Sequence, residues 1–305
     1  MSLSHPAAVA PSPLVAPGGV PVASRGVGEL LVAESLPDAA VSLFSLLTHL
    51  GDPWLCLFAI SFAYVVGDRV GIARPSAAFV LALGLGAVGL TVGLKELFAL
   101  PRPPMAAESG YGFPSGHALG TTVFWGGAAL LLDVGRRRVR LGVAAAVVVL
   151  VALSRVVIRV HYLVDVVAGV AVGVLFLAAV FAVGPGLRRP STPSDTAVVA
   201  CFLLGGVLTS AAGVLDPIER EVLLGVGTAV AGAVTWSTLA DAVHGARTGV
   251  SRRRLALGVV AFPAPLALML VVAKLSPASL VVVAAGAVGG ATLLGLPAAV
   301  SSLAD

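Results

Sequence analysis

Apolar residues run almost without interruption for most of this chain, and charged residues collect in the short connections between the runs. A helix needs roughly 20 apolar residues to cross a bilayer. The pattern predicts nine such spans, over 53–67, 76–100, 116–132, 139–158, 160–184, 196–214, 222–243, 255–274 and 278–300. No period-two alternation competes with this reading, so the expected fold class is all-α, a polytopic transmembrane helical bundle. Residues 39–50 (AAVSLFSLLTHL) are apolar but too short to span, and they end at Gly51-Asp52-Pro53. They predict an interfacial helix leading into the first span. The span over 255–274 contains Phe262-Pro263-Ala264-Pro265 and should be kinked or broken there. Residues 1–37 read as a flexible tail. The first 27 are rich in Ala, Pro, Gly and Val, with no basic segment ahead of a continuous apolar one as a signal peptide would have.

Composition agrees with a membrane protein. Of 305 residues, 58% are hydrophobic and 11% charged, and the mean hydropathy is +1.04, whereas soluble domains are about a quarter charged. The net charge of +4 is spread over many connections. That distribution speaks for membrane topology and against a nucleic-acid partner. Twelve of the 19 basic residues fall in one set of alternate connections, at Arg69, Arg74, 136–140, 188–189, Arg247 and 252–254. This side is expected to be cytoplasmic. Cys56 and Cys201 lie in apolar segments and read as packing residues.

The polar, Pro-rich stretch 187–195 suggests a boundary. It separates a membrane unit over 38–190 from a four-span unit over 191–305. The second unit is rich in Gly and Ala, as in 286–290, which suits close helix packing.

Three clusters carry the candidate chemistry: Lys95-x6-Arg102-Pro103, Pro114-Ser115-Gly116-His117 and Ser154-Arg155-x5-His161-x3-Asp165. They supply three cations, two imidazoles and a carboxylate beside apolar segments, where ionised groups are costly and usually functional. In the predicted topology all three fall on the non-cytoplasmic face. His161 and Asp165 are one helical turn apart, so the carboxylate can orient one ring nitrogen and leave the other as a nucleophile. A His–Asp pair that only tightens packing would look the same in isolation; Ser154 and Arg155 tilt the balance. Ser115 is an expected N-cap, Gly116 admits close approach to the backbone, and the helix start favours an anion. His117 would project from that turn as a proton donor. Lys95 and Arg102 could instead snorkel to headgroups, but snorkelling does not explain their concentration here. Together the groups suit phosphoryl transfer, with Lys95, Arg102 and Arg155 neutralising the phosphoryl oxygens. No carboxylate cluster suited to Mg²⁺ lies near them, so neither metal nor cofactor is expected. Glu96 and Glu108 are the outer-face acids open to a loosely held divalent ion.

These three signatures resemble those of the type 2 phosphatidic acid phosphatase family, with every specified position present and in order, over about residues 38–186. The resemblance implies a helical membrane core, a site at the outer surface of the cell membrane and a phosphohistidine formed on His161. It implies His117 as acid and Asp165 as the orienting carboxylate, with a lipid phosphate or polyprenyl diphosphate as substrate. The same superfamily includes vanadium-dependent haloperoxidases, which look like larger soluble proteins; spans through the motif region argue against that branch. A phosphotransferase is the near alternative, and a non-catalytic anion-binding transporter or scaffold the distant one. The last four spans lie outside the resemblance.

Overall fold

The computed structural model describes residues 25–187, 190–246, 252–276 and 278–303. These form twelve α-helices and, among the described residues, no strand. In order they are α1 (Glu29–Glu34), α2 (Asp38–Leu47), α3 (Pro53–Val70), α4 (Arg74–Phe98), α5 (Gly116–Leu131) and α6 (Arg137–Val157). Then follow α7 (Leu163–Val183), α8 (Asp195–Leu215), α9 (Arg220–Gly245), α10 (Arg252–Ala261), α11 (Pro263–Leu275) and α12 (Ser279–Leu303).

The helix ends follow from local sequence. Asp52 caps α3 by accepting the Trp54 amide at 2.8 Å, with Pro53 in the first turn, and Gly71 closes the helix with a positive φ of 74°. Ser115 caps α5, accepting from the Ala118 amide at 3.5 Å. Ser194 caps α8 in the same way at 3.2 Å.

Among the described residues, seven helices are long and apolar enough to cross a membrane, or up to eight if one bent pair counts as a single span. The expected count of nine is not confirmed, because of two places. The run over 116–132 forms α5, a helix of 16 residues that is shorter than these seven although it runs from the Gly116 end of the bundle to the Arg140 end. The run over 53–67 reaches span length only with the segment before it. Asp38–Gly51 and Pro53–Gly67 meet at 49°, a broken span or a re-entrant turn where an interfacial helix was expected. The proline break separates α10 from α11 as anticipated, and the two together make one span. Of the expected tail, residues 1–24 lie outside the described residues. Residues 25–37 carry α1 and are held against the start of α7.

α4 is the central element. One side packs on α5, and another on α8 and α9 of the C-terminal unit. Its Gly89 faces the α8 backbone at Leu208 and Thr209 so closely that a β-carbon there would overlap it. The two units are also joined at the far end. Arg74, read from sequence as a topology charge, is 5% exposed and donates to the carbonyls of Val243 (3.0 Å) and Ala246 (2.5 Å). It satisfies the carbonyl end of α9, where a cation also complements the helix dipole.

Candidate active site

The three signatures converge at one end of the bundle. Lys95 comes from the last turn of α4, and Arg102 from the loop after it. Ser115, Gly116 and His117 open α5; Arg155 ends α6; His161 sits in the α6–α7 connection, and Asp165 in the first turn of α7. Lys95, Arg102, Gly116, His117 and His161 border one cavity.

Asp165 and His161 are 0% and 1% exposed, so their charges must be settled by neighbours and not by water. Oδ2 of Asp165 lies 3.5 Å from Nδ1 of His161 and accepts the Tyr162 amide at 3.0 Å. Oδ1 accepts from Nη1 of Arg25 at 2.8 Å. The opposite ring nitrogen, Nε2, faces Nη1 of Arg102 at 3.1 Å. Nδ1 makes no hydrogen bond and has the carboxylate beside it, while Nε2 accepts from the guanidinium. Burial pushes the His161 imidazole well below its usual pKa, and Arg102, Arg155 and Lys95 add to the effect. The ring is therefore neutral near pH 7.

Arg155 is only 2% exposed. Its Nη1 donates to Thr48 Oγ1 at 3.0 Å, and its Nη2 pairs with Glu108 Oε1. The second oxygen of Glu108 meets Nη1 of Arg102 at 2.9 Å. One carboxylate therefore bridges two of the three cations that motif reading assigns to phosphate. Burial alone would raise its pKa, but Arg155 and Arg102 outweigh burial and hold it below the usual value. Arg102 is further fixed by the Ser109 carbonyl (3.1 Å, from Nε) and the Val160 carbonyl (3.2 Å).

Ser115 and Ser154 are fully buried. The Ser115 amide donates to the Asp165 carbonyl at 2.9 Å, tying the start of α5 to the start of α7. Ser154 Oγ donates to the Val151 carbonyl at 2.6 Å. Gly116 serves packing as well as access. A β-carbon there would lie 2.7 Å from Thr91 Cγ2 on α4.

Four partners were not found by reading the sequence: Arg25, Thr48, Glu108 and Tyr162. Arg25 docks from outside the signatures. Besides Asp165, it donates to the Pro101 carbonyl and lies 4.9 Å above the Tyr162 ring. Nearby, Glu29 accepts the Leu163 amide at 3.0 Å, capping α7 from outside. One signal was available for Arg25: it is the sole Arg or Lys before Arg69. Glu108 sits between two of the signatures and was read only as a loose ion ligand.

The structure thus gathers three cations, two imidazoles and the Asp165 carboxylate at one end of the bundle, and Asp52, Glu96, Glu108, Asp216, Glu219 and Glu221 also line the cavity there. Residues 76–189 match the model of the PAP2 superfamily, so the chain carries a domain of that superfamily. The match and the long apolar helices together suggest a membrane protein of phosphatase type. The match ends before α8. No curated protein and no solved structure matches the chain.

Proposed function

We propose that the protein is an integral-membrane lipid phosphatase that releases phosphate from a phosphate monoester or a terminal diphosphate. The observation that carries this reading is the setting of His161: Nδ1 is 3.5 Å from Asp165, and Nε2 is 3.1 Å from Arg102, on a residue that borders the cavity. Arginine only donates, so Nε2 is the accepting nitrogen and the ring proton sits on Nδ1, on the Asp165 side; the Nε2 lone pair becomes available when Arg102 turns to the phosphoryl oxygens. Nε2 attacks phosphorus, and the bond to the lipid oxygen breaks. Burial, with Arg155 adding to it, lowers the pKa of His117 to about 3 in the free site, so it takes up its proton from the arriving phosphate monoanion and then gives it to the departing oxygen. His117 then takes a proton from water as that water attacks the phosphohistidine. Inorganic phosphate leaves, and Nε2 regains its lone pair. Lys95, Arg102, Arg155 and the amides opening α5 neutralise the phosphoryl oxygens, which is the principal demand of this chemistry.

Replacing His161 with Ala should lower turnover roughly 10⁶-fold, the scale at which loss of a nucleophile slows a hydrolase. A brief incubation with radiolabelled substrate should leave label on the peptide containing His161 in the wild type alone. Label at another residue would overturn the assignment. The charge neutralisation above comes from Lys95, Arg102 and Arg155, so activity should survive EDTA. Loss on chelation with specific rescue by Mg²⁺ would demand a metal-dependent route.

The bias of basic connections supports a site on the non-cytoplasmic face of the cell membrane. A cysteine introduced at Ser109 should react with an impermeant thiol reagent in intact cells. Labelling only after lysis would reverse the orientation.

A further inference from the structure

Arg155 leaves one nitrogen without a partner. Its side chain is 2% exposed, and its Nε is buried with nothing to donate to. The two terminal nitrogens are taken: Nη1 donates to Thr48 Oγ1 at 3.0 Å, and Nη2 pairs with Glu108 Oε1. A guanidinium can present two edges to an oxyanion, one formed by Nε with Nη2 and one by the two Nη atoms. Thr48 occupies a corner of the second edge. The first edge remains, with Nε empty and Nη2 on Glu108, whose side chain is 38% exposed. Glu108 borders the cavity where Arg155 does not. A phosphoryl group that takes the place of Glu108 therefore meets Nη2 and finds the orphan Nε beside it. An unpaired buried donor is costly, and this one is accounted for by a ligand.

Thr48 reaches Arg155 because the chain between α2 and α3 is pressed into the bundle. Thr48–Gly51 form a single 3₁₀ turn, and Thr48 is buried. Trp125 of α5 donates Nε1 to the Leu50 carbonyl at 3.0 Å, which ties the turn to the helix that carries His117. Gly51 permits the close approach. A β-carbon there would overlap Thr121 Oγ1 and lie 2.8 Å from Val151 Cγ1. Val151 is one helical turn before Arg155 on α6, so the glycine seats the turn at the level of the guanidinium. Residues 48–51 precede the matched stretch 76–189. The turn thus meets the site from outside the domain that supplies the three signatures.

We infer that Thr48 is a positioning residue for the phosphoryl group: it pins Nη1 of Arg155, so that the edge formed by Nε and Nη2 faces the place Glu108 now holds. The inference rests on the phosphatase reading for the reaction, and on the geometry alone for the anion. A phosphoryl group, or vanadate in its place, takes two parallel hydrogen bonds from that edge. Thr48 touches neither and acts through Arg155. Without its hydroxyl, Nη1 becomes a second buried donor with no partner. The guanidinium then turns to satisfy it, and the paired approach through Nε and Nη2 is lost. The turn before α3 gains a role by this reading, because it fixes from outside the matched domain how one of the domain's own cations is presented.

The test uses the full-length protein in detergent. It reads hydrolysis of p-nitrophenyl phosphate and, separately, thermal stabilisation on titration with orthovanadate. Thr48→Val keeps the side-chain shape and removes the acceptor. It should lower kcat/KM about 10- to 100-fold, the scale of a misplaced reacting group, and weaken vanadate binding in parallel. Thr48→Ser restores the hydroxyl and should recover most of both. The deciding measurement is a double-mutant cycle with Arg155→Lys, which replaces the fork by a point charge with no edge to present. In that background Thr48→Val should cost no more than about twofold, because the group it acts through is gone. An equal loss in both backgrounds would make Thr48 a structural residue and overturn the inference, as would full activity and full vanadate binding in Thr48→Val alone. The two readings fail separately. If wild type binds vanadate but cleaves no phosphate ester, and the cycle in vanadate binding runs as described, the positioning stands and the phosphatase reading falls. If the ester is cleaved and Thr48→Val is silent, the positioning falls alone.

Discussion

The two halves of the molecule bury different things. Up to residue 187, the buried side chains include Arg74, Arg155, His161 and Asp165 along with several hydroxyls. Among the described residues from 190 onward, the buried polar side chains are Thr209, Thr228 and Thr235. Two of these threonines return their hydroxyl to helix carbonyls, Thr209 to Gly205 at 2.8 Å and Thr228 to Gly286 at 3.1 Å. The second half is held by close backbone approach. A β-carbon on Gly227 or Gly286 would run into the α12 or α9 backbone, respectively. In a bilayer this packing of small residues needs no charge to drive it. Buried ions are costly in either half; in the second, among the described residues, they are confined to the start of α9, where Arg220 Nη1 is buried and Glu221 borders the cavity.

That contrast can be broken or sharpened by substitution. After His161, the largest effect is expected at His117. His117→Ala should cost roughly 10²–10⁴-fold for a lipid alkoxide, the range of a general acid, and far less for p-nitrophenyl phosphate, whose leaving group needs no proton. Steady-state rates on both substrates check this, and equal losses would reduce His117 to a phosphate ligand.

Arg25 should come next. It holds one oxygen of Asp165 from outside the matched domain. Arg25→Ala should lower kcat by about 10- to 100-fold through misorientation of the Asp165–His161 pair, with KM little changed. Arg25→Lys should recover part of the loss. A raised KM at unchanged kcat would show that Arg25 touches substrate instead.

Arg102→Gln should be smaller at pH 8 and larger below pH 6. Cationic neighbours disfavour the protonated imidazole, so they keep His161 neutral to lower pH. Removing one raises the pKa toward 6.5, and the acid limb of kcat/KM should move upward with it. A downward or absent shift would contradict the electrostatics described above.

The smallest effect is expected at Thr209→Val in the C-terminal half. Turnover of p-nitrophenyl phosphate should stay within about twofold, since surface-neutral or internally satisfied hydroxyls carry little net energy. A loss like that of Arg25→Ala would erase the distinction between the halves.

The sequence revealed the signatures because each carries an ionisable group next to an apolar run, a juxtaposition visible without coordinates. It also revealed the proline break before α11, since Pro263 cannot supply a helical amide. It did not reveal that α5 is short. Residues 116–132 are as apolar as a span, but the helix closes at Leu131 and its cap is extended at Leu132. Composition reports hydrophobicity and not where the backbone turns. Arg25 and Glu108 stayed hidden for another reason. Their partners lie 140 and 47 residues away for Asp165 and Arg155, and no periodicity encodes such distances. The wall that α9 lends to the cavity was equally illegible, because Leu224 and Thr228 look like any other apolar helix positions.

Glu108 has one more consequence. Its carboxylate already spans Arg102 and Arg155. Under the function proposed above it is a tethered competitor for these cations, present at a high effective concentration set by its loop. Substrate and inorganic phosphate are weakened by the same factor, so the chain contacts of a substrate keep it bound while the product, which has none, is held least.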